Sequence, residues 1–313
     1  MEVQNALANR IDTAGQKAAY DSYCKRLLAN KQILARILKV CVPEFNNCTI
    51  EDIQEKYIEG TPQVSEIPLN PDESTEFIHG ENSEDTTMTE GTITYDIRFW
   101  AVSPSDGGLI RMLINCEAQN KYNPGYPLLK RGIYYCGRML SGQYGTEFEN
   151  SEYQKLKKVV SIWVCTDPPA ERRNTITGYS MDEWNLIGDV KEKKEYFDLI
   201  TVLMVCLGGP SEQNYDGLLK MLDVLLSDKV EPARKKEILQ DEFEISMTRE
   251  MESEAINMCN LSDGIVSRTT VEHIVNMMAE LNLTEEECMN VLKIPEEQKP
   301  MYHDMLKEQM VVS

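Results

Sequence analysis

The chain has 313 residues and a formal net charge of −20, with 42% hydrophobic and 27% charged residues. These proportions exclude a wholly disordered chain and a collagen-like one. The longest nearly unbroken apolar stretch, 199–207, is far shorter than the roughly 20 residues that a membrane-spanning helix needs. Because the first residues also lack an apolar signal core, we expect a protein that is neither secreted nor bound to a membrane.

The cysteines favour a reducing compartment. The chain has nine cysteines and three histidines, and no two cysteines have C-x-x-C spacing, so neither a zinc finger nor a haem site is predicted. Four cysteines lie inside apolar segments, which predicts buried thiols of a cytoplasmic protein: Cys116, Cys136, Cys165 and Cys206.

The negative charge is unevenly distributed. Residues 41–90 carry a net charge of −12 and 166–313 a net charge of −15, whereas 1–40 and 91–165 are mildly basic. Phosphate contacts need Lys and Arg, so the total charge argues against binding a polyanion, but the distribution matters more than the total. Two interpretations stay open: solvated acidic faces, or acidic parts that flank a mildly basic site.

The N-terminal part predicts one helix followed by an irregular acidic segment. Apolar residues recur at three-to-four spacing over 17–42, and Pro43 ends this helical pattern. Residues 44–60 fit either a short strand or a helical turn. Residues 61–90 combine Pro, Ser, Thr and acidic residues, which predicts a long loop or insertion.

The middle of the chain predicts a β-hairpin. Residues 92–102 and 109–119 are rich in β-forming apolar residues, and the turn residues of 103–108 separate them. This pattern places Asp96 in the middle of the first strand and Glu117 near the end of the second.

Further regular elements follow the hairpin. Residues 128–144 predict a helix that Gly132 and Gly137 weaken, since glycine disfavours helix interiors. Residues 155–165 predict a buried strand, and 199–207 fit a strand or a buried helix.

From Ser211 onward the pattern is almost entirely helical, and Thr284 with Glu287 three residues later predicts a capped helix start. We therefore expect a core over 1–210, with an acidic insertion near 61–90, and a helical C-terminal region over 211–313. Its frequent methionines suit simple packing, and its interrupted apolar faces disfavour a long coiled coil.

The hairpin carries two carboxylates on adjacent strands. Asp96 and Glu117 would repel each other if brought together, and a divalent cation removes that repulsion. Mg²⁺ prefers oxygen ligands and keeps several waters, so these two carboxylates and the main-chain carbonyl of Ala118 suffice to bind it. The alternative is that Asp96 pairs with an arginine and Glu117 caps or edges the sheet; spacing alone does not decide between them.

The segment TITYDIRFWAVSPSDGGLIRMLINCEAQNKYNPGYPLLKRGIYYCGRML resembles the PD-(D/E)XK nuclease family transposases, also called the recombination-promoting nuclease family. The similarity covers approximately 16–310. It includes the first helix, the E-x-Q element, the R-x-x-x-Y element and the C-terminal helices. The family's motif positions in these elements correspond to Asp21, Lys25, Glu117, Gln119, Arg131 and Tyr135.

This resemblance implies an α/β fold with a restriction-endonuclease-like core, in the order αβββαβ, whose mixed sheet is flanked by helices. It also implies cleavage of DNA phosphodiesters by water that Mg²⁺ activates, with Mn²⁺ as a substitute. In this sequence Asp96 and Glu117 match the acidic residues of the motif. They would hold the metal together with the carbonyl of Ala118.

Position 119 departs from the wider superfamily, which has Lys where this chain has Gln119. Glutamine hydrogen-bonds a water but supplies no positive charge. A substitute cation could come from Lys25, Lys130 or Arg131. Arg131 is preferred because its guanidinium holds a phosphate bidentately, although a surface or salt-bridging role is equally compatible with the sequence.

Three further residues have open roles. Tyr135 lies one helical turn after Arg131 and fits either a hydrogen bond near the site or core packing. Asp21 fits a helper acid or a helix cap. Lys121 fits a phosphate contact or an ordinary exposed lysine.

Two functions remain open from the sequence. The leading hypothesis is a metal-dependent DNA endonuclease of the transposase-associated kind, and a homodimer suits a double-strand cut. The alternative is a catalytically inactive nuclease fold that acts as a nucleic-acid or protein binding module. In that case the acidic helical C-terminal region would bind a protein partner or occupy the basic groove as a DNA mimic.

Overall fold

The fold is known from a computed structural model that describes residues 18–64, 84–87, 91–105, 108–209, 217–281, 283–296 and 298–312. Within these ranges the protein is α/β, with a mixed sheet of six strands flanked by helices. The chain divides into two compact units, Asp21–Ala255 and the described residues among 1–20 and 256–313. The division into 1–210 and 211–313 stays a prediction.

The single helix predicted over 17–42 is two helices, which corrects the sequence-based expectation. Helix α1 covers 18–28 and α2 covers Lys31–Cys41. The side chain of Asn30 between them accepts a hydrogen bond from the backbone N–H of Gln32 at 2.9 Å. Asparagine is among the best helix-capping residues, so it begins a new helix inside an otherwise continuous apolar pattern.

The undecided stretch 44–60 is largely helical rather than extended. It contains short helical turns at Pro43–Phe45, Ile50–Asp52 and Ile53–Tyr57. The Thr49 hydroxyl accepts a hydrogen bond from the backbone N–H of Asp52 and thereby begins the second of these turns.

Six strands form the main sheet in the order β1-β4-β5-β6-β8-β7, and β2 and β3 form a separate pair. The β5–β6 and β6–β8 pairs are parallel, and the other pairs in the main sheet are antiparallel. The strands are β1 (Gln63–Val64), β2 (Glu84–Thr87), β3 (Gly91–Thr94), β4 (Ile97–Ser105), β5 (Gly108–Lys121), β6 (Lys158–Asp167), β7 (Thr175–Ser180) and β8 (Ile200–Cys206).

The predicted hairpin is confirmed as β4 and β5, but its first strand begins later than expected. A bend at Asp96 separates β3 from β4, so Asp96 lies between two strands and not in the middle of one. Aspartate is poorly suited to a strand interior, and here its carboxylate accepts a backbone N–H from the neighbouring strand. The break places this carboxylate beside the end of β5.

The acidic segment 61–90 is only partly described. Strands β1 and β2 lie in its described parts, so a loop is the wrong prediction there. The remaining residues, 65–83 and 88–90, lie outside the described residues.

The buried strand predicted over 155–165 is confirmed as β6. The choice between strand and helix for 199–207 resolves to a strand that pairs in parallel with β6. Strand β7 was not predicted, because it is a short edge strand with no strong apolar alternation.

Helix α3 (Leu128–Ser141) packs on β6 and β8. Its buried residues join Trp163 and Val202 of these strands in one apolar core. Gly132 lies on the contacting side, where an added Cβ would be 2.7 Å from Val202 Cγ1 and 2.9 Å from Trp163 Nε1. This glycine therefore lets the helix approach the sheet closely, at a cost in helix propensity.

We expect Gly132→Ala to destabilise the protein by about 1–3 kcal/mol, the usual range for overpacking a core. The matched control is Gly137→Ala in the same helix, since a Cβ at Gly137 meets nothing within 4 Å. Alanine there should stabilise the helix by up to about 1 kcal/mol. Chemical denaturation of both variants tests this. Equal effects at the two positions would contradict the close-approach role of Gly132.

The described part of the C-terminal region consists of helices joined by short non-helical connections, in agreement with the predicted helical pattern. Thr284 and Glu287 form the expected capping box at the start of α7. No helix in the described ranges is both long and apolar enough to cross a membrane. The helices are α4 (Gly217–Leu226), α5 (Pro232–Phe243), α6 (Arg249–Leu281), α7 (Glu285–Val291) and α8 (Lys299–Val312).

All nine cysteines are buried free thiols, including the four that the sequence placed in the core. Burial raises the pKa of the Cys136 thiol to about 12, although a hydrogen bond with the backbone of Ser161 opposes the rise. The Cys136 thiol is therefore unreactive at neutral pH, because the thiolate is the reactive species.

Candidate metal centre

The carboxylates of Asp96 and Glu117 lie together at the break between β3 and β4. The backbone N–H of Asp96 donates to Glu117 Oε1 at 3.0 Å, and the backbone N–H of Ala118 donates to Asp96 Oδ2 at 3.0 Å. Each carboxylate thus accepts a hydrogen bond from the chain segment that carries the other. The bend at Asp96 makes this reciprocal contact possible, because the chain leaves the ladder there.

Glu117 is only 2% exposed, and Asn115 supplies its other hydrogen bond. Alternation along β5 puts both side chains on one face of the sheet, and Asn115 Nδ2 donates to Glu117 Oε1 at 3.0 Å. The Oδ1 atom of Asn115 is buried and accepts no hydrogen bond from the residues that the structure describes. Sequence reasoning missed Asn115; its polar side chain in the apolar run RMLINCEA was the available signal.

Burial raises the pKa of Glu117 well above its usual range, and the charge of Asp96 raises it further. The hydrogen bonds from Asp96 and Asn115 offset only part of this. Burial also raises the pKa of Asp96, although the Lys25 ammonium opposes the rise. Two adjacent carboxylates in a low-dielectric setting therefore resist ionising together without additional positive charge.

Lys25 supplies one positive charge to this pair from α1. Its Nζ lies 2.9 Å from Asp96 Oδ1 and 2.8 Å from Asp21 Oδ2, and its side chain is nearly fully buried. Burial by itself would lower the pKa of Lys25, but the attraction of Asp96 and the hydrogen bonds to both aspartates outweigh it and raise the pKa. Asp21 thus pairs with Lys25 and, at 40% side-chain exposure, lies at the outer side of the cluster.

Arg131 and Tyr135 form a second pair on α3. Arg131 Nη2 donates to the Tyr135 hydroxyl at 2.6 Å, and Nη1 donates to the Tyr126 hydroxyl at 2.9 Å. The guanidinium carbon lies 5.0 Å from the ring centre of Tyr135 and 5.3 Å from that of Trp163. Arg131 is therefore held in place by its neighbours and is not a freely moving surface residue.

Arg131 and Tyr135 both interact electrostatically with the Glu117 carboxylate. The charge of Arg131 lowers the pKa of Glu117, opposing the larger effects of burial and Asp96. Burial and then the Glu117 charge raise the pKa of the Tyr135 hydroxyl. Tyr135 also packs in the core, with its ring centre 5.2 Å from that of Tyr95, so the two roles proposed for it are compatible.

The remaining sequence candidates lie at the margin of this cluster. Gln119 is half-buried on the same face of β5 as Glu117, two residues further along. Lys121 and Lys130 are exposed. Of the three cations considered as substitutes for the superfamily lysine, Lys25 makes the direct contact with a site carboxylate.

The donor set fits a divalent cation that retains water. No cluster of three or more His, Cys, Asp or Glu side chains suited to a metal occurs in the described part of the chain. Asp96, Glu117 and the carbonyl of Ala118 would provide three oxygens, which suits Mg²⁺ because it keeps several waters.

Compared with known proteins, the chain matches no family model, no curated protein and no solved structure.

Proposed function

We propose that the protein is a Mg²⁺-dependent DNA endonuclease of the PD-(D/E)XK type. The observation that carries the proposal is the pair formed by the buried Glu117 carboxylate and the largely buried Asp96 carboxylate, which accept reciprocal hydrogen bonds across the hairpin. A largely buried carboxylate pair is costly to keep even with the Lys25 ammonium beside it. A divalent cation bound between the two carboxylates would offset their repulsion, and the pair would then serve as metal ligands.

The order of elements supports the same proposal. In the main sheet, helices α1 and α2 precede β1, β4 and β5, and α3 then leads to β6, which pairs in parallel with β5. The separate pair β2 and β3 is inserted between β1 and β4. This order agrees with the αβββαβ core of restriction-endonuclease-like proteins that the sequence resemblance implies. The remaining strands, β7 and β8, extend the sheet beyond that core.

Each site residue then has a defined role. Asp96, Glu117 and the carbonyl of Ala118 would hold the cation, which supplies charge to offset that of a phosphodiester and to lower the pKa of water. Lys25 holds Asp96 in place and contributes a second positive charge. Gln119 would hydrogen-bond the attacking water.

Arg131 is suited to a phosphate contact. Its guanidinium is fixed by the hydroxyls of Tyr126 and Tyr135, and it lies close enough to Glu117 that the two charges affect each other. A guanidinium held in this way loses little freedom when it binds an anion.

A second candidate function is a catalytically inactive binding module. The observation that favours it is the Lys25 ammonium, which already lies on Asp96 Oδ1 and partly neutralises the carboxylate pair. Gln119 in place of the superfamily lysine agrees with it. In this case the protein would bind nucleic acid or a protein partner without cleaving.

Plasmid cleavage tests the proposed function. We expect the purified full chain to nick supercoiled DNA in Mg²⁺ or Mn²⁺ at low salt and to be inactive in EDTA. Asp96→Ala and Glu117→Ala should both lose the activity. The control Asp52→Ala should keep it, because the Asp52 carboxylate pairs with Lys56 and not with a residue of the proposed site. Metal-independent nicking, or nicking that survives both site substitutions, would contradict the proposal.

A further inference from the structure

Strand β7 is an edge strand of the main sheet. It is last in the sheet order and pairs only with β8 among the described strands. Its sequence, TITGYS, has no lysine and no proline, the residues that commonly protect sheet edges from pairing with another chain. The outer backbone groups of β7 are thus suited to form a further antiparallel pair.

The segment that follows β7, residues 181–193, carries a set of exposed apolar side chains. Ile187 is 96% exposed and Trp184 is 83% exposed. Side chains of this size and exposure present several hundred Å² together, which is the size at which an apolar patch marks an interaction site. The patch consists of Met181, Trp184, Leu186, Ile187 and Val190, each at least half exposed.

Polar groups of the segment itself hold this patch in shape. The side chain of Asn185 accepts from the backbone N–H of Val190 at 3.3 Å and donates to its carbonyl at 2.9 Å. The Glu183 carboxylate accepts from the backbone N–H of Glu192 at 3.0 Å. The loop is therefore pre-organised with its apolar side chains in solvent, which lowers the entropic cost of binding.

The charges at the two ends of β7 indicate what binds there. Arg172 and Arg173 lie just before the strand, and 171–173 carries a net charge of +1. Asp182 and Glu183 lie just after it, and 181–183 carries a net charge of −2. When two identical strands pair antiparallel, the residues before one strand lie beside the residues after the other. A second copy of this chain is thus complementary to β7 in charge.

We propose that β7 and the loop 181–193 form a two-fold symmetric homodimer interface. The β7 strands pair antiparallel, the two apolar patches cover each other's flanks, and Arg172 and Arg173 of each copy face Asp182 and Glu183 of the other. Such an isologous contact is self-complementary and closed. A membrane or nucleic acid suits the loop less well, because 181–193 has a net charge of −2.

The oligomeric state of the full chain tests this proposal without any readout of nuclease activity. By light scattering after gel filtration, we expect twice the chain mass at roughly 10 μM, an ordinary affinity for an interface of standard size. The double variant Leu186→Ser with Ile187→Ser should be a folded monomer, because both side chains are in solvent within a single chain and contribute to no core. The matched control Leu109→Ser, an exposed leucine at the hairpin end, should stay dimeric.

A charge exchange tests the antiparallel arrangement. Arg173→Asp or Asp182→Arg alone should weaken the dimer by about tenfold, because each change occurs twice across the axis. The combined variant should recover most of the affinity. A wild type that is monomeric at roughly 100 μM would overturn the proposal. So would a dimer that survives the double serine variant, or one that neither charge reversal weakens.

Discussion

Glu117→Gln is expected to abolish metal-dependent cleavage while raising the melting temperature of the metal-free protein. Glutamine keeps an acceptor for the hydrogen bonds from Asp96 and Asn115, but it cannot ionise in this buried position beside another carboxylate. Losing several kcal/mol of charge stabilisation corresponds to about a 10³-fold or greater loss of rate. Removing the charge should stabilise the metal-free fold by on the order of 0.5–2 kcal/mol.

The stability difference should depend on pH. In the folded protein the pKa of Glu117 is raised, so the native state retains a proton that the unfolded chain releases near its ordinary pKa of about 4.3. The free energy of unfolding of the metal-free wild type therefore falls as the pH rises above that value. The variant lacks this group, so its advantage should grow with pH.

Thermal melting and plasmid nicking of the same samples measure both effects. The control is Glu149→Gln, an exposed carboxylate that should change neither property. A variant that melts below the wild type at pH 8 without metal would show that the Glu117 carboxylate contributes to folding. That result would favour the structural role over the metal-binding role.

Lys25→Met is expected to separate metal binding from cleavage. The Lys25 ammonium lies on Asp96 Oδ1 and repels any cation bound there, so its removal should retain or strengthen Mn²⁺ binding. If Lys25 also stabilises charge on the phosphodiester, cleavage at saturating metal should fall by about 10²–10³-fold. The metal-free variant should lose about 3–5 kcal/mol, because Asp96 is left buried without its partner.

Two further variants keep this prediction testable if the methionine variant folds poorly. Lys25→Arg retains the charge and should keep most of the activity, whereas Lys130→Met removes an exposed lysine and should behave as wild type. Wild-type cleavage by Lys25→Met at saturating Mn²⁺ would show that Lys25 contributes only to stability.

The sequence predicts the strongly periodic elements well. Alternation and turn residues indicate the β4–β5 hairpin, and apolar spacing indicates α3 and the C-terminal helices. Its failures occur where one residue makes a local contact that overrides the pattern. Asn30 caps a new helix within the periodic run 17–42, and the bend at Asp96 interrupts an alternating strand.

Contacts between residues distant in the sequence were also not predicted. Gly132 reads as a weakness in a helix, but it allows α3 to approach Trp163 and Val202. Lys25 of α1 pairs with Asp96 of the hairpin region. The two residues are too far apart in the sequence for a helix or strand periodicity to predict this contact. That Asp96 and Glu117 come together was predictable, because acidic residues in apolar segments need a partner or a ligand.

The most direct test of the account is Mn²⁺ binding to the full-length protein, measured by calorimetric titration. It requires no knowledge of the DNA target, and it separates the proposed nuclease from the inactive module. We predict about one strong site in the wild type. That site should be lost in both Asp96→Asn and Glu117→Gln and kept in Asp52→Asn. Equal Mn²⁺ binding by the wild type and the two site variants would contradict a metal centre at these carboxylates.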